Sequence, residues 1–196
     1  MNSTRILTSL GILLVPILSF SQKVFELDIS GQWKFTIGDR EEYAAIDYDD
    51  ENWEYLEVPS PWEAEGFSNY NGYAWYRFTF DGSDLKHTKN LLLNLGYIDD
   101  VHEAYLNNEL LGFKGSFPPR YYTAYDALNE YHIPSNLINE NGKNVIAVRV
   151  YDLTLDGGIV KGNDIGIWYQ TQTEDFQNLA GVWEFTKKEP YNWSEP

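Results

Sequence analysis

The sequence predicts an all-β fold, and three observations lead to this prediction. Several segments alternate apolar and polar side chains with a period of two, which is typical of half-buried strands. Glycine, asparagine and proline occur between these segments and favour tight turns there. No segment repeats its apolar residues with the period of about 3.6 that indicates an amphipathic helix.

The first 21 residues are predicted to be a secretory signal peptide. Arg5 supplies a positive charge, residues 6–20 are apolar, and a small-x-small cleavage site precedes Gln22. A membrane anchor is the alternative, but the apolar run is short for a bilayer span and Pro16 interrupts it. We expect the remaining residues, about 175, to form a single secreted domain without a membrane span.

Residues 31–37 form the first predicted strand, with Trp33, Phe35 and Ile37 on one face. Residues 55–58 form a second, short strand. It ends where two closely spaced prolines force a turn at the edge of a sheet.

An acidic stretch lies between these two strands. It contains Asp47, Asp49, Asp50 and Glu51 and precedes Trp53. A single helical turn there would let Trp53 fill the core. Clustered carboxylates can bind calcium, but a solvated acidic loop accounts for them more simply. We therefore predict no cofactor and no metal site.

The segment 70–80, YNGYAWYRFTF, joins an Asn-Gly turn to the aromatic strand 75–80. Alternation places Tyr76 and Phe78 on one face and Arg77 on the other. An arginine within such a strand needs a carboxylate partner, because an unpaired buried charge is costly.

The second half of the chain contains one clear hairpin. Strands 101–106 and 109–113 are joined by two asparagines, which tolerate the positive φ angles of a tight turn. Residues 91–95 form a continuous apolar run that suits a strand buried on both faces. The remaining predicted strands are residues 130–133, 144–152 and 165–169.

Two long loops accompany these strands. Residues 115–131 are rich in aromatic side chains, and a loop of this length is usually functional when it is not disordered. So many aromatic residues argue against disorder. The glycine-rich residues 153–164 lack the spacing of a phosphate-binding loop.

Five motifs occur in an order that resembles a known family. They are VPSPWE at 58–63, YNGYAWYRFTF at 70–80, LGYIDDVHEAYLNN at 95–108, NVIAVRVYD at 144–152 and DGGI at 156–159. Together they resemble the N-terminal sugar-binding domain of glycoside hydrolase family 2, and a related domain occurs in some sialate O-acetylesterases. The resemblance covers residues 27–169 and implies a galactose-binding-like β-sandwich, or jelly roll.

The expected domain spans residues 22–178, followed by a strand and tail at 179–196. The tail segment LAGVWEF echoes DISGQWKF near the start of the predicted mature chain. Two interpretations stay open. The segment is either a closing strand of the same sandwich or the first strand of a truncated second domain.

Composition excludes several classes of function. The net charge of −16 argues against nucleic acid as a partner and favours neutral over acidic glycans. Acidity that only keeps the protein soluble is an equally good account. With no cysteine in the chain, stability must come from a hydrophobic core rather than from disulfides.

The sequence predicts no catalytic residue. Family 2 enzymes carry their catalytic carboxylates in a TIM barrel, and a barrel of roughly 250 residues cannot fit into this chain. No G-x-S-x-G motif of a serine esterase is present. His87, His102 and His132 lack the spacing of metal ligands.

Binding of sugar is easier to argue, because loops at one end of a sandwich can display aromatic rings and hydroxyl-reading polar groups. The candidates are Trp62, Tyr70, Asn71, Tyr73, Arg120, Tyr121, Tyr122, Asp156 and Trp168. Trp62 is equally well explained as a packing residue. Asp156 lies in DGGI, which resembles a segment that family 2 enzymes lend to the neighbouring catalytic pocket.

The family resemblance also suggests ion pairs that brace the sheet. Asp99, Asp100 and Glu103 are the candidate partners for Arg77 or Arg149.

We expect an exported, non-catalytic carbohydrate-binding module whose partner is a neutral glycan or a catalytic glycosidase subunit. The first alternative is the N-terminal portion or a subunit of a β-galactosidase-like hydrolase. The second is a structural interaction module that does not bind sugar.

Overall fold

The computed structural model describes residues 22–171 of the 196-residue chain. Eleven strands occur in this range and no helix is longer than four residues, so the all-β prediction is confirmed. The strands are β1 Lys23–Asp28, β2 Gly31–Ile37, β3 Glu54–Val58, β4 Gly72–Asp81, β5 Leu91–Asp99, β6 Val101–Leu106, β7 Glu109–Lys114, β8 Leu128–Ile133, β9 Lys143–Asp152, β10 Gly158–Lys161 and β11 Gly166–Gln170. Short 3-10 helices cover Glu41–Ala44, Gly82–Asp84 and Ser135–Leu137.

The strands form two antiparallel sheets. The six-stranded sheet has the order β3-β2-β4-β9-β6-β7. In the five-stranded sheet, β1 pairs with β11, and β5 pairs with β11 and β10 on one side and with β8 on the other. The sheets face each other as a sandwich, and the expected jelly-roll architecture is confirmed.

The predicted strands are present, most of them with slightly wider bounds. The hairpin β6–β7 turns at Asn107 and Asn108, whose φ angles of 52° and 76° are the positive values the turn requires. Two strands escaped the sequence analysis. β1 precedes the first predicted strand at 31–37, and β10 lies within the glycine-rich residues 153–164 that were predicted to be a loop.

The core lies between the sheets and is built from their inward-facing side chains. Trp33, Phe35, Tyr76, Leu93 and Ile146 are among its fully buried members. Each such side chain contributes about 1.5–3 kcal/mol through burial. The alternation predicted for the aromatic strand 75–80 is confirmed, because Tyr76 and Phe80 face this core and Trp75 does not.

A second apolar cluster covers the outer face of the six-stranded sheet. The segment 38–53 crosses this face, and Tyr43 packs edge-on against Trp53 and Trp75 at ring distances of 4.9 and 5.9 Å. The prediction that Trp53 fills the main core is therefore wrong. The helical turn of this segment lies at Glu41–Ala44, before the acidic stretch.

Within residues 22–171 no helix is long and apolar enough to cross a membrane. The predicted signal peptide at 1–21 and the predicted strand and tail at 179–196 lie outside the described residues.

Candidate functional site

Arg77 is anchored on the outer face by a carboxylate that the sequence analysis did not select. Its Nε donates to Asp50 at 2.7 Å, and its Nη1 donates to the carbonyl oxygens of Tyr43 and Ala45. Arg77 is 1% exposed. The crossing segment 38–53 brings Asp50 over the sheet, so this arginine does not pair with Asp99, Asp100 or Glu103.

Arg149 pairs with two carboxylates on the same face. It contacts Asp39 at 2.6 Å and Glu103 at 3.0 Å. Glu103 also accepts a hydrogen bond from the Tyr105 hydroxyl at 2.8 Å. The guanidinium lies 4.3 Å from the Phe117 ring centre, a cation–π contact. Glu103 is thus a partner of Arg149, whereas Asp99 and Asp100 are not.

Asp99 and Asp100 instead meet Asp152, at the end of the sandwich where β5 turns into β6 and β9 ends. Each of the three residues offers a carboxylate oxygen, and these oxygens lie within 4.8 Å of one another. We call these residues the acidic trio. Asp100 also accepts hydrogen bonds from the Thr123 hydroxyl at 2.7 Å and from the Leu153 amide at 3.0 Å.

The three carboxyl groups of the acidic trio differ in pKa because their surroundings differ. Burial, followed by the neighbouring carboxylates, raises the pKa of Asp99, and burial also raises the pKa of Asp152. Burial acts in the same direction on Asp100, but hydrogen bonds from Asp99, Tyr121, Thr123 and the Leu153 amide outweigh it and lower its pKa. The arrangement therefore favours a proton or a cation among the three carboxylates.

A cleft of about 370 Å³ opens at this end of the sandwich. It is lined by Glu63, Ser68, Asn69, Asn71, Thr154, Leu155 and Asp156. The segment 63–71 forms one wall and the loop after β9 forms the other. Glu63 connects the walls, because its Oε2 accepts a hydrogen bond from the Gly157 amide at 3.0 Å.

Gly157 is required where these walls meet. A Cβ atom added there would lie 2.3 Å from the Trp62 ring and 2.9 Å from the Cβ of Asp152. The DGGI motif thus lets the loop pack directly against the core indole.

The aromatic loop at 115–127 is held against the same end of the sandwich. Phe117 stacks on Tyr73 with a ring distance of 5.8 Å and an interplanar angle of 10°. Tyr121 meets Tyr151 edge-on at 5.9 Å. Ser116 and Tyr122 exchange backbone hydrogen bonds of 2.9 and 3.0 Å. Contacts within the loop and with β4 and β9 therefore order it.

The predicted sugar-binding residues separate into several groups. Asn71 and Asp156 line the cleft. Tyr73 and Tyr121 belong to the aromatic cluster next to it, while Arg120 and Tyr122 are exposed on the aromatic loop.

Trp62 is a core residue rather than a surface ring. It is fully buried, and its Nε1 donates to the Tyr70 carbonyl oxygen at 3.2 Å. Tyr70 packs half-buried on this indole and donates its hydroxyl to the Tyr73 carbonyl oxygen at 2.7 Å. Packing thus accounts for the position of both rings.

Trp168 lies apart from the cleft, on β11. It pairs with Leu92 at the opposite end of β5 from Asp99 and packs edge-on against Phe25. Its Nε1 donates to the Asp164 carbonyl oxygen, and Phe25 and Asp164 line a separate groove of about 570 Å³.

The sequence analysis missed several cleft residues. Asn69 and Leu155 have φ angles of 61° and 71°, conformations that tight loops impose. Glu63 follows the buried Trp62 in the VPSPWE motif, and a polar residue directly after a buried motif residue was the available signal for it. Asp152, which belongs to the acidic trio rather than to the cleft lining, was also missed; it ends the predicted strand 144–152.

No protein-family model matches the chain. A search of curated proteins finds a relative named "Putative beta-glucuronidase" from Formosa agariphila, 29% identical over 137 residues. The alignment covers 64% of this chain and 12% of that relative, so the chain matches a small part of a much longer protein.

Solved structures of glycosidases share the fold. A beta-glucuronidase from Bacteroides uniformis has a TM-score of 0.55 and 21% identity, with 76% of this chain and 18% of that chain covered. A glycosyl hydrolase family 2 member from Bacteroides cellulosilyticus has a TM-score of 0.57 and 20% identity, with 76% and 21% covered. The resemblance stated from the motifs is confirmed: this chain is similar to the N-terminal domain of family 2 glycoside hydrolases.

Proposed function

We propose that this chain is an exported, non-catalytic carbohydrate-binding module that serves the breakdown of glycosides or polysaccharides. The observation that supports this most directly is the polar cleft between segment 63–71 and the loop after β9. Its Asn71 and Asp156 offer amide and carboxylate groups at the end of a sandwich shared with glycosidases.

The cleft has the chemistry that a sugar ring needs. Carboxylates and amides can exchange hydrogen bonds with several hydroxyls at once. Leu155, which is 81% exposed, offers an apolar contact for the C–H groups of a sugar. A cleft lined by Glu63 and Asp156 repels anions, so the proposed ligand is a neutral glycan rather than a uronate.

We do not propose that this chain hydrolyses glycosides by itself. Glycoside hydrolysis needs two carboxylates on either side of a scissile bond, about 5 to 10 Å apart. In family 2 they belong to a barrel of roughly 250 residues, which exceeds the length of this chain. Release of the aryl group from aryl-glycosides by the purified protein would overturn this part of the proposal.

One observation favours a second candidate function. The chain spans 12% of the curated relative and 18–21% of the solved glycosidases named above. The second candidate is the N-terminal portion or a subunit of a glycosidase, with its loop end against a catalytic domain. An interaction module without sugar binding is the remaining alternative.

A glycan-array screen tests the first proposal. The protein is screened beside an Asn71→Ala, Asp156→Ala variant, and Trp168→Ala serves as the matched control because it lies near the other groove. We expect selective binding to neutral glycans that is lost in the double variant and kept in the control. Binding lost only in Trp168→Ala would reject the cleft, and no binding to any glycan would reject the module.

Two further measurements test the rest of the proposal. Co-purification with a barrel protein would support the subunit alternative. N-terminal sequencing of protein recovered outside the cytoplasm tests export, with Gln22 as the expected first residue; an intact Met1 there would contradict cleavage at the predicted site.

A further inference from the structure

The acidic trio contains three carboxylates that none of the arginines, lysines or histidines of residues 22–171 neutralises. No nitrogen of those side chains lies within 4.0 Å of Asp99, Asp100 or Asp152. Arg149, on the neighbouring outer face, pairs with Asp39 and Glu103 instead.

A second observation concerns the atoms of Asp152 rather than the number of acids. Asp152 is fully buried, and its Oδ1 accepts a hydrogen bond from the Thr154 amide at 3.0 Å. Its Oδ2 is buried and has no hydrogen-bond donor in the described chain. Buried polar atoms are nearly always partnered, so this oxygen requires either a proton shared with a neighbouring carboxylate or a bound cation.

The spacing of the carboxylates suits one ion. Calcium holds oxygen ligands at 2.3–2.6 Å, so two of its ligands stand at most about 5 Å apart. The oxygens of the acidic trio lie within 4.8 Å of one another. All three ligand atoms are carboxylate oxygens, which suit hard cations such as calcium.

We propose that Asp99, Asp100 and Asp152 bind one calcium ion, with the buried Asp152 oxygen as a ligand. This site differs from the acidic stretch at 47–51, which the sequence analysis considered for calcium. In that stretch, Asp50 pairs with Arg77, and Asp49 accepts a hydrogen bond from the Glu51 amide.

The ion would join elements that are far apart in the sequence. Asp99 and Asp100 stand at the corner between β5 and β6, and Asp152 ends β9. Asp100 also holds the aromatic loop through Thr123 and the loop after β9 through the Leu153 amide. Calcium therefore stabilises the wall of the cleft formed by residues 154–156 together with the aromatic loop.

Calorimetric titration of the metal-free protein with calcium chloride tests the site directly. We expect one saturable ion per chain in about 0.15 M salt, which screens diffuse binding to the acidic surface. At about a hundredfold excess over the dissociation constant, calcium should raise Tm by about 5–10 °C. The absence of saturable binding up to about 10 mM calcium, well above the range of weak extracellular sites, would overturn the proposal.

Matched variants locate the ion. Asp152→Asn keeps the shape of the side chain and the acceptor for Thr154 but removes an anionic ligand, so calcium affinity should fall at least about tenfold. Asp126→Asn removes one exposed charge from the same end of the sandwich and should bind calcium like the parent. Asp99→Asn provides a second test if Asp152→Asn does not fold. Parent-like affinity in both trio variants would place the ion elsewhere and reject this site.

Sugar binding is not needed for this test. If the protein binds calcium but no glycan, the calcium site is supported and only the proposed carbohydrate-binding function is rejected.

Discussion

On the outer face of the six-stranded sheet, Arg77 and Arg149 each meet a carboxylate, whereas at the loop end three carboxylates meet one another. Both regions hold ionisable groups on buried or half-buried side chains. The outer face neutralises that charge within residues 22–171, and the loop end does not. The paired charges on the outer face therefore serve the structure, whereas the unpaired carboxylates at the loop end are suited to bind a ligand.

The largest expected effect comes from removing a buried arginine on the outer face, where the charges are paired. Arg77→Met should lower the free energy of unfolding by about 3–5 kcal/mol, because Asp50 and the carbonyl oxygens of Tyr43 and Ala45 lose their buried donor. Urea denaturation measures the change. An effect below about 1 kcal/mol, which is typical of exposed ion pairs, would show that Arg77 does not anchor the crossing segment.

A smaller loss is expected at the partly exposed pair on the same face. Asp39→Asn should lower the free energy of unfolding by about 1–2 kcal/mol, since it weakens a two-pronged contact while Glu103 remains with Arg149. The same denaturation experiment checks it. Unchanged stability would mean that Glu103 alone compensates Arg149.

At the loop end, a substitution that removes a negative charge should raise the free energy of unfolding rather than lower it. In EDTA at about pH 9, where all three carboxyl groups are ionised, Asp152→Asn is expected to raise the free energy of unfolding by about 1 kcal/mol, because it removes one of three mutually repelling charges. Asp126→Asn, a change of equal charge at an exposed position, should stay within about 0.5 kcal/mol of the parent. A destabilised Asp152→Asn protein would mean that the acidic trio is already compensated without metal.

The smallest effect is the pH dependence of stability in EDTA between about pH 8.5 and 6.5. The pKa values of Asp99 and Asp152 are raised in the folded state, so folded protein binds more protons than unfolded protein in this window. Stability should therefore rise gradually as pH falls, and the slope should flatten in Asp152→Asn, which has one of the two titrating groups fewer. A slope of the opposite sign in the parent would contradict the raised pKa values.

Below about pH 6.5 a different residue takes over. Burial lowers the pKa of His102 to about 3, so unfolded chains take up a proton that the folded protein refuses. Stability from this residue is therefore lost as pH falls. The acidic trio is best examined above that range.

The local pattern was enough to predict strands and turns but not the partners of charged residues. The bounds of β2 and the asparagine turn of the β6–β7 hairpin follow from alternation and from backbone preferences that neighbouring residues express. The need of Arg77 for a carboxylate also followed from its place in an aromatic strand. Its partner did not, because Asp50 reaches it through a segment that crosses the sheet.

The acidic trio lay beyond the sequence analysis for a related reason. Asp100 and Asp152 are 52 positions apart, and only the antiparallel register between β6 and β9 brings them together. The cleft is also formed by two loops distant in sequence. By contrast, Asn71 and Asp156 could be selected, because each lies in or beside a recognisable motif.

The pairing of β1 with β11 has a consequence for synthesis on the ribosome. Lys23 faces Gln170 and Asp28 faces Gly166, so the first described strand cannot pair until the last one has been synthesised. Until residue 170 has emerged, the five-stranded sheet lacks β11, which joins β1 to β5. The nascent chain therefore carries β1 without its partner strand until β11 has been made, and unpaired strands are prone to aggregate. Chaperones that bind the emerging chain should therefore increase the yield of this folded sandwich more than the yield of a fold built from local contacts.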